Sequence, residues 1–369
     1  MVGGGISEAY IKPPPWMVPP QYYLTCEREV SPVASLRPRS GEVEKIECVP
    51  YVQYAWFGEI GVCAQYAARL VLLTLKGINA PTVPEITSSA VKKVLLGGIE
   101  RSREEGLTVD EIANILEGEG YNIFRYSRTH KIQCTNCGNR LSIPSVSGEP
   151  TIENIYAYVE SGLPVLLGIE RAKLLEWWDG KGDEPHALVA IGHTLSENDK
   201  VDGLIVHDVS KYPYQVLTDP HNGKPLEEII NEAVVPVPRE VTIRYQQAKK
   251  MIFGLLELLK VELEEGEEYR PMLVEADKIK RWLGEGVQRD HFEDYRIPQE
   301  VQEDFSRAFL DRYVWLFEIK KNLGNGRREY KGDILYSGTY ERILGFNLPD
   351  LNIYGFIDGN NEFQTKEYP

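Results

Sequence analysis

Residues 61–77 read GVCAQYAARLVLLTLKG, and the fold turns on this stretch. Alanines and leucines recur at helical spacing and Gly77 offers a stop, so a helix is expected here. Ala64, Ala67 and Ala68 keep that helix slim enough to lie buried against a sheet, and Gly61 allows a tight approach. Cys63 falls in the first turn, where unpaired N–H groups and the helix dipole favour an anion. A thiol there is expected to be partly thiolate, the form that reacts. Taken alone, a cysteine on an apolar helix is as readily a small core residue. What the rest of the chain brings to it therefore decides its role.

Three compact apolar runs follow: GLPVLLGIE at 162–170, HALVAIGH at 186–193 and GLIVHDVS at 203–210. Their length and turn-bounded spacing predict neighbouring antiparallel strands packed on the Cys63 helix. His186 opens the second run after the polar loop WWDGKGDEP, so its ring is expected at a sheet edge facing solvent rather than inside the core. A thiolate needs an imidazole beside it to hold the ion pair and later protonate a leaving group. Asp208, on the third run, is the expected carboxylate that orients the imidazole, with Asp202 and Asp219 close to it in sequence. His207 and Asp208 are adjacent and point oppositely on a strand, so His207 is expected exposed or packed.

Around this centre the chain divides into three parts. Residues 1–50 form a proline-rich arm with little regular structure of its own, carrying Trp16, Tyr22 and Tyr23 as docking aromatics. Residues 51–225 form the domain that holds Cys63, His186 and Asp208. It includes helices over Thr108–Glu117 and Ile152–Ser161, and a strand-rich insertion at about 126–145. Residues 226–369 form a C-terminal α+β region: a helix centred in VTIRYQQAKKMIFGLLELLKVELEEG, then a strand-to-helix unit in MLVEADKIKRWLG. Strands in RYVWLFEIKK, GDILYSGTY and LNIYGFI complete it.

In its order of Cys helix, Gly-x-Pro-Val strand, His strand and Asp strand, the chain over roughly 50–225 resembles the bacteriocin-processing (double-glycine) peptidases and their relatives in the papain-like cysteine peptidase clan. The resemblance implies an α+β papain-like fold and a Cys63–His186–Asp208 triad. It also implies an oxyanion-binding Gln about six residues before the nucleophile. Position 57 is Phe, so Gln53, the nearest preceding glutamine, takes that expectation, with the Cys63 N–H as second donor. Ala64 and Gln65 stand where many bacteriocin-processing members have Gly-Pro, which points to the wider clan. The expected activity is cleavage of peptide or isopeptide bonds through a thioester. Deamidation or transamidation of protein glutamine uses the same triad, and a silent papain-like module used for binding is the third reading.

Two further motifs carry expectations. CTNCG at 134–138 has the shape of one zinc knuckle, making Cys134 and Cys137 candidate ligands of a structural zinc. Cys26, Cys48, His130 or another chain would have to complete the site, and a β-turn is the plainer reading. Trp177 and Trp178 are candidates to line a substrate groove, or a packing anchor for their loop. His186, His193, His207 and Asp208 are metal-ligand types, but the seven-residue spacing of His186 and His193 puts them on opposite strand faces. No nucleotide-binding or zincin motif is present, and catalysis is expected to need no cofactor.

The balance of 56 acidic against 41 basic residues gives a net charge of −15, which repels polyanions and disfavours nucleic acid as partner. A protein or peptide substrate is expected instead. No apolar run reaches the roughly 18 residues of a membrane span. The first residues lack a basic and then apolar leader, and five cysteines are an odd number for a disulfide framework, so a reducing cytoplasm is expected.

Overall fold

A computed structural model describes the backbone of residues 8–11, 22–24, 49–52, 63–95, 107–128, 130–133, 140–143, 148–170, 185–196, 200–209, 212–220, 224–264, 266–284, 297–324 and 327–368. The chain is α+β and divides into two compact units, Met1–Val237 and Pro238–Pro369.

The first unit begins with three short strands, β1 (Glu8–Ile11), β2 (Tyr22–Leu24) and β3 (Val49–Val52). Helices α1 (Cys63–Lys76), α2 (Val83–Leu95) and α3 (Val109–Gly118) follow, then strands β4 (Tyr121–Ser127), β5 (His130–Gln133) and β6 (Arg140–Ile143). After α4 (Ile152–Glu160) come β7 (Val165–Glu170), β8 (Pro185–Leu195), β9 (Val201–His207), β10 (Gln215–Thr218), the turn-length α5 (Leu226–Ile229) and β11 (Ile230–Pro238). The main sheet has the order β10-β9-β8-β7-β11-β4, with β2 also pairing β8. The runs that carry Gly168, His186 and His207 are thus adjacent antiparallel strands, with Ile169 opposite His186 and Val189 opposite His207.

Local chemistry explains where the helices start and stop. Gly77 ends α1 at φ +61°, a conformation that costs a glycine little. The buried Arg69 then ties down the following turn by donating to the carbonyls of Ala80 and Pro81. Thr108 and Glu111 form a reciprocal capping box at the start of α3. At α4 the Thr151 hydroxyl accepts from the Asn154 N–H at 3.2 Å.

The apolar face of α1 packs on Leu166 of β7, Ala187, Val189 and Ile191 of β8, and Ile205 of β9. Every residue from His186 to Leu195 is buried, so β8 is covered on both faces, as its unbroken apolar run implies. α4 lies against β7, β8 and β9. Its Tyr158 shares a 2.7 Å hydroxyl contact with Tyr126. Between Ala190 and Gly192 the register of β8 against β9 shifts by one residue. That bulge breaks the simple alternation assumed for His186 and His193.

Two sequence expectations change here. The arm is not purely irregular: β1 pairs with β3, and β2 adds to the main sheet through Tyr22 opposite Thr194. The first unit also runs past residue 225, because β11 pairs with β7 inside the main sheet and the division falls after Val237. Sheet pairing across about sixty residues leaves no local mark in the sequence.

The second unit has its own sheet. Helix α6 (Tyr245–Leu258) precedes β12 (Glu267–Glu275), α7 (Ala276–Ile279) with a π-helical turn over Lys280–Gly284, and α8 (Gln299–Arg307). Strands β13 (Tyr313–Gly324), β14 (Arg327–Ser337), β15 (Ile343–Leu348), β16 (Ile353–Ile357) and β17 (Phe363–Glu367) then run with β12 as a six-stranded antiparallel meander in chain order. Trp315 is fully buried and donates its indole N–H to the Ile243 carbonyl at 3.0 Å. This region is therefore a separate sheet and not an extension of the first.

Candidate functional site

Cys63 is the first residue of α1, half-buried and not in a disulfide. Its sulfur is hydrogen-bonded to the His186 ring and receives the backbone N–H groups of Ala187 and Ala64. The Ala64 donor is one of the first-turn N–H groups that a helix leaves without an intrahelical partner. Burial, the largest influence, opposes ionisation of the thiol. The bond to His186, the charge on its ring and the two backbone donors outweigh burial and hold the Cys63 thiol below its ordinary value.

His186 stands at the start of β8 and, at 4% exposed, is buried rather than facing solvent. Its Nε2–H donates to Asp208 Oδ1 at 3.0 Å, which leaves Nδ1 as the nitrogen that serves Cys63. Burial favours the neutral ring most strongly. The hydrogen bonds to Asp208 and Cys63 and the two negative charges prevail, raising its pKa to about 9. Asp208, itself 4% exposed, is the first residue beyond β9. Helix α1 supplies the sulfur, β8 the imidazole and the end of β9 the carboxylate, so three separate elements converge on one ring.

The other acidic and histidine candidates are engaged elsewhere. Asp202 accepts from the Thr194 hydroxyl at 2.6 Å, and Asp219 accepts from the Leu226 N–H at 2.9 Å. His193 Nε2–H donates to the buried Glu160 at 2.5 Å, with Tyr156 edge-on to the ring at 4.8 Å. His207 is fully buried, and Tyr214 meets it edge-on at 4.7 Å. His186 and His193 thus bind different carboxylates. Among the described residues no group of three or more His, Cys, Asp or Glu side chains is arranged to hold a metal ion.

Gln53, Gly61, Cys134, Cys137, Trp177 and Trp178 lie outside the described residues. The backbone of β3 lies beside α1 and ends one residue before Gln53. Sequence reading missed the Ala187 N–H at the sulfur and the Glu160–His193 pair. A main-chain donor carries no side-chain signature, and nothing local links a helix-end glutamate to a histidine 33 residues on.

Compared with models of known protein families and with curated protein sequences, the chain matches none. Among the described residues no helix is long and apolar enough to cross a membrane.

Proposed function

We propose that this chain is a papain-like cysteine hydrolase, related to the bacteriocin-processing-type peptidases, that cleaves peptide or isopeptide bonds in a protein or peptide substrate. The observation that carries the reading is the His186 ring held between the Cys63 sulfur and the Asp208 carboxylate. In the resting site the thiol proton resides on the imidazole, giving a thiolate beside an imidazolium. The Cys63 sulfur attacks the carbonyl carbon, and the tetrahedral oxyanion forms near the first turn of α1, where the Cys63 N–H and the Gln53 amide are the proposed donors. His186 gives its proton to the leaving amine nitrogen, the C–N bond breaks, and an acyl thioester remains. Neutral His186 then takes a proton from water, whose oxygen attacks the thioester and releases the acid. As the acid leaves, the C–S bond breaks and the thiolate is restored beside the imidazolium that the water's proton has formed. Asp208 holds the ring in the tautomer that turns Nδ1 to the sulfur and stabilises its charge.

These steps use a nucleophile, an acid and a base that the three side chains supply, so the proposed reaction needs no cofactor. The net charge of −15 favours basic or neutral polypeptide substrates over nucleic acid. A thiolate nucleophile fits a reducing compartment, and cytoplasmic residence is part of the proposal. The knuckle at Cys134 and Cys137 remains a proposed structural zinc site.

A peptide library incubated with the protein and analysed by mass spectrometry tests the reading, with Cys63→Ala as comparison. Cleaved peptides that disappear in Cys63→Ala support it. A mass gain of about 1 Da at glutamine with the backbone intact would move the assignment to deamidation. Intact peptides together with a Cys63 that resists iodoacetamide at neutral pH would leave a binding module and sink the enzyme reading.

A further inference from the structure

The Asp208 carboxylate must stay within hydrogen-bond reach of His186 Nε2, yet Asp208 sits just past the last residue of β9, where the ladder no longer holds the chain. Its main-chain N–H donates to the Tyr212 carbonyl at 3.3 Å, long for such a bond. That carbonyl also accepts the side-chain amide of Gln215 at 3.0 Å. Gln215 is buried on β10 opposite Val206 of β9, so its amide links the turn to the sheet. Tyr212 is 71% exposed, so its carbonyl and not its ring is tied in. Tyr214 adopts φ +55°, a left-handed conformation costly for a tyrosine, and its buried ring meets His207 edge-on. Residues 212–215 are thus tied to the Asp208 backbone on one side and to His207 and the sheet on the other.

We infer that residues 212–215, leading into β10, are a positioning device for Asp208, with the Gln215 amide as its latch. Gln215 touches no reacting atom; it acts through the Tyr212 carbonyl and the Asp208 backbone. A misplacement of about 1 Å is enough to weaken a catalytic hydrogen bond severely. The inference rests on the Cys63–His186–Asp208 reading above. Among the described residues, Cys63 on α1 and Asp208 at the end of β9 are the titratable groups acting on the His186 ring.

The test is an NMR titration of the His186 ring in the full chain, with its resonance identified by its loss in His186→Ala. Gln215→Met keeps the length of the side chain and removes the donor; Asp208→Asn gives the full effect of losing the carboxylate charge. The latch predicts that Gln215→Met lowers the His186 pKa by at least half a unit while the unfolding midpoint stays near that of the parent. Gln215→Leu, which likewise cannot donate to the carbonyl and adds no charge, shifts it in the same direction and serves if Gln215→Met does not fold. A His186 pKa that moves in Asp208→Asn but stays in place in the Gln215 variants overturns the latch and leaves the triad standing. A pKa that moves in none of them overturns both.

Discussion

Replacing Asp208 by Asn keeps the shape of the side chain and removes its charge, so its effect can be worked from His186 directly. The ring is raised from 6.5 to about 9 against the opposing pull of burial, by bonds and charges from Asp208 and Cys63. That shift corresponds to about 3 kcal/mol in favour of the protonated ring. Without the carboxylate charge the Asp208 contribution is lost, and burial pulls the ring down against Cys63 alone. At pH 8 a ring with a pKa of about 9 is roughly nine-tenths protonated, whereas one at 6.5 is about 3% protonated. The difference sets a limit of about thirtyfold on the fall of the imidazolium population. Iodoacetate, whose carboxylate is drawn to the imidazolium, reads that population; neutral iodoacetamide reads the thiolate alone. Followed by intact mass at pH 8, iodoacetate labelling of Cys63 should slow severalfold in Asp208→Asn, within that limit. Iodoacetamide labelling should recover at pH 10, where the thiol ionises unaided. An unchanged iodoacetate rate at pH 8, in a variant whose far-ultraviolet circular dichroism matches the parent, would refute the role given to Asp208.

Stability should depend on pH through the same pair. The raised pKa of His186 contributes stability that is whole below 6.5 and is lost as pH rises through about 9. The lowered pKa of Cys63 contributes stability that is present above 9.0 and lost as pH falls through its lowered value. Between pH 6.5 and about 9 the Cys63 gain opposes the His186 loss, so urea unfolding of the parent should show a shallower fall of stability across that window than Cys63→Ala, where the His186 loss stands alone; identical slopes would count against the pair. Glu160→Leu should cost about 1–3 kcal/mol in urea unfolding, because the buried His193 ring loses its acceptor; a neutral result would mean water reaches the ring. In Gly203→Ala the new Cβ would stand 2.6 Å from Thr194 Oγ1 and 2.7 Å from the Leu217 carbonyl. A loss of about 1–3 kcal/mol is expected, read as a lower thermal midpoint, and an unchanged midpoint would show that β8 and β10 move apart freely.

The sequence by itself determined the elements whose cause is local. Alanine and leucine spacing with Gly77 set α1, Thr108 and Glu111 set the start of α3, and short turn-bounded apolar runs set β7, β8 and β9. It also singled out Cys63, His186 and Asp208 as candidates, from a helix start, a strand start and a strand end in the order of the resemblance. The tertiary structure decided what depends on pairing across distance. It placed β11 beside β7, put β2 on β8, separated the β12–β17 meander from the first sheet, and inserted a bulge in β8. It set Asp208, the carboxylate already expected, against His186 and gave Asp202 and Asp219 the donors Thr194 and Leu226 instead. The physical reason is that periodicity and capping act within a few residues, whereas register, burial and hydrogen-bond partner are settled only when the strands meet.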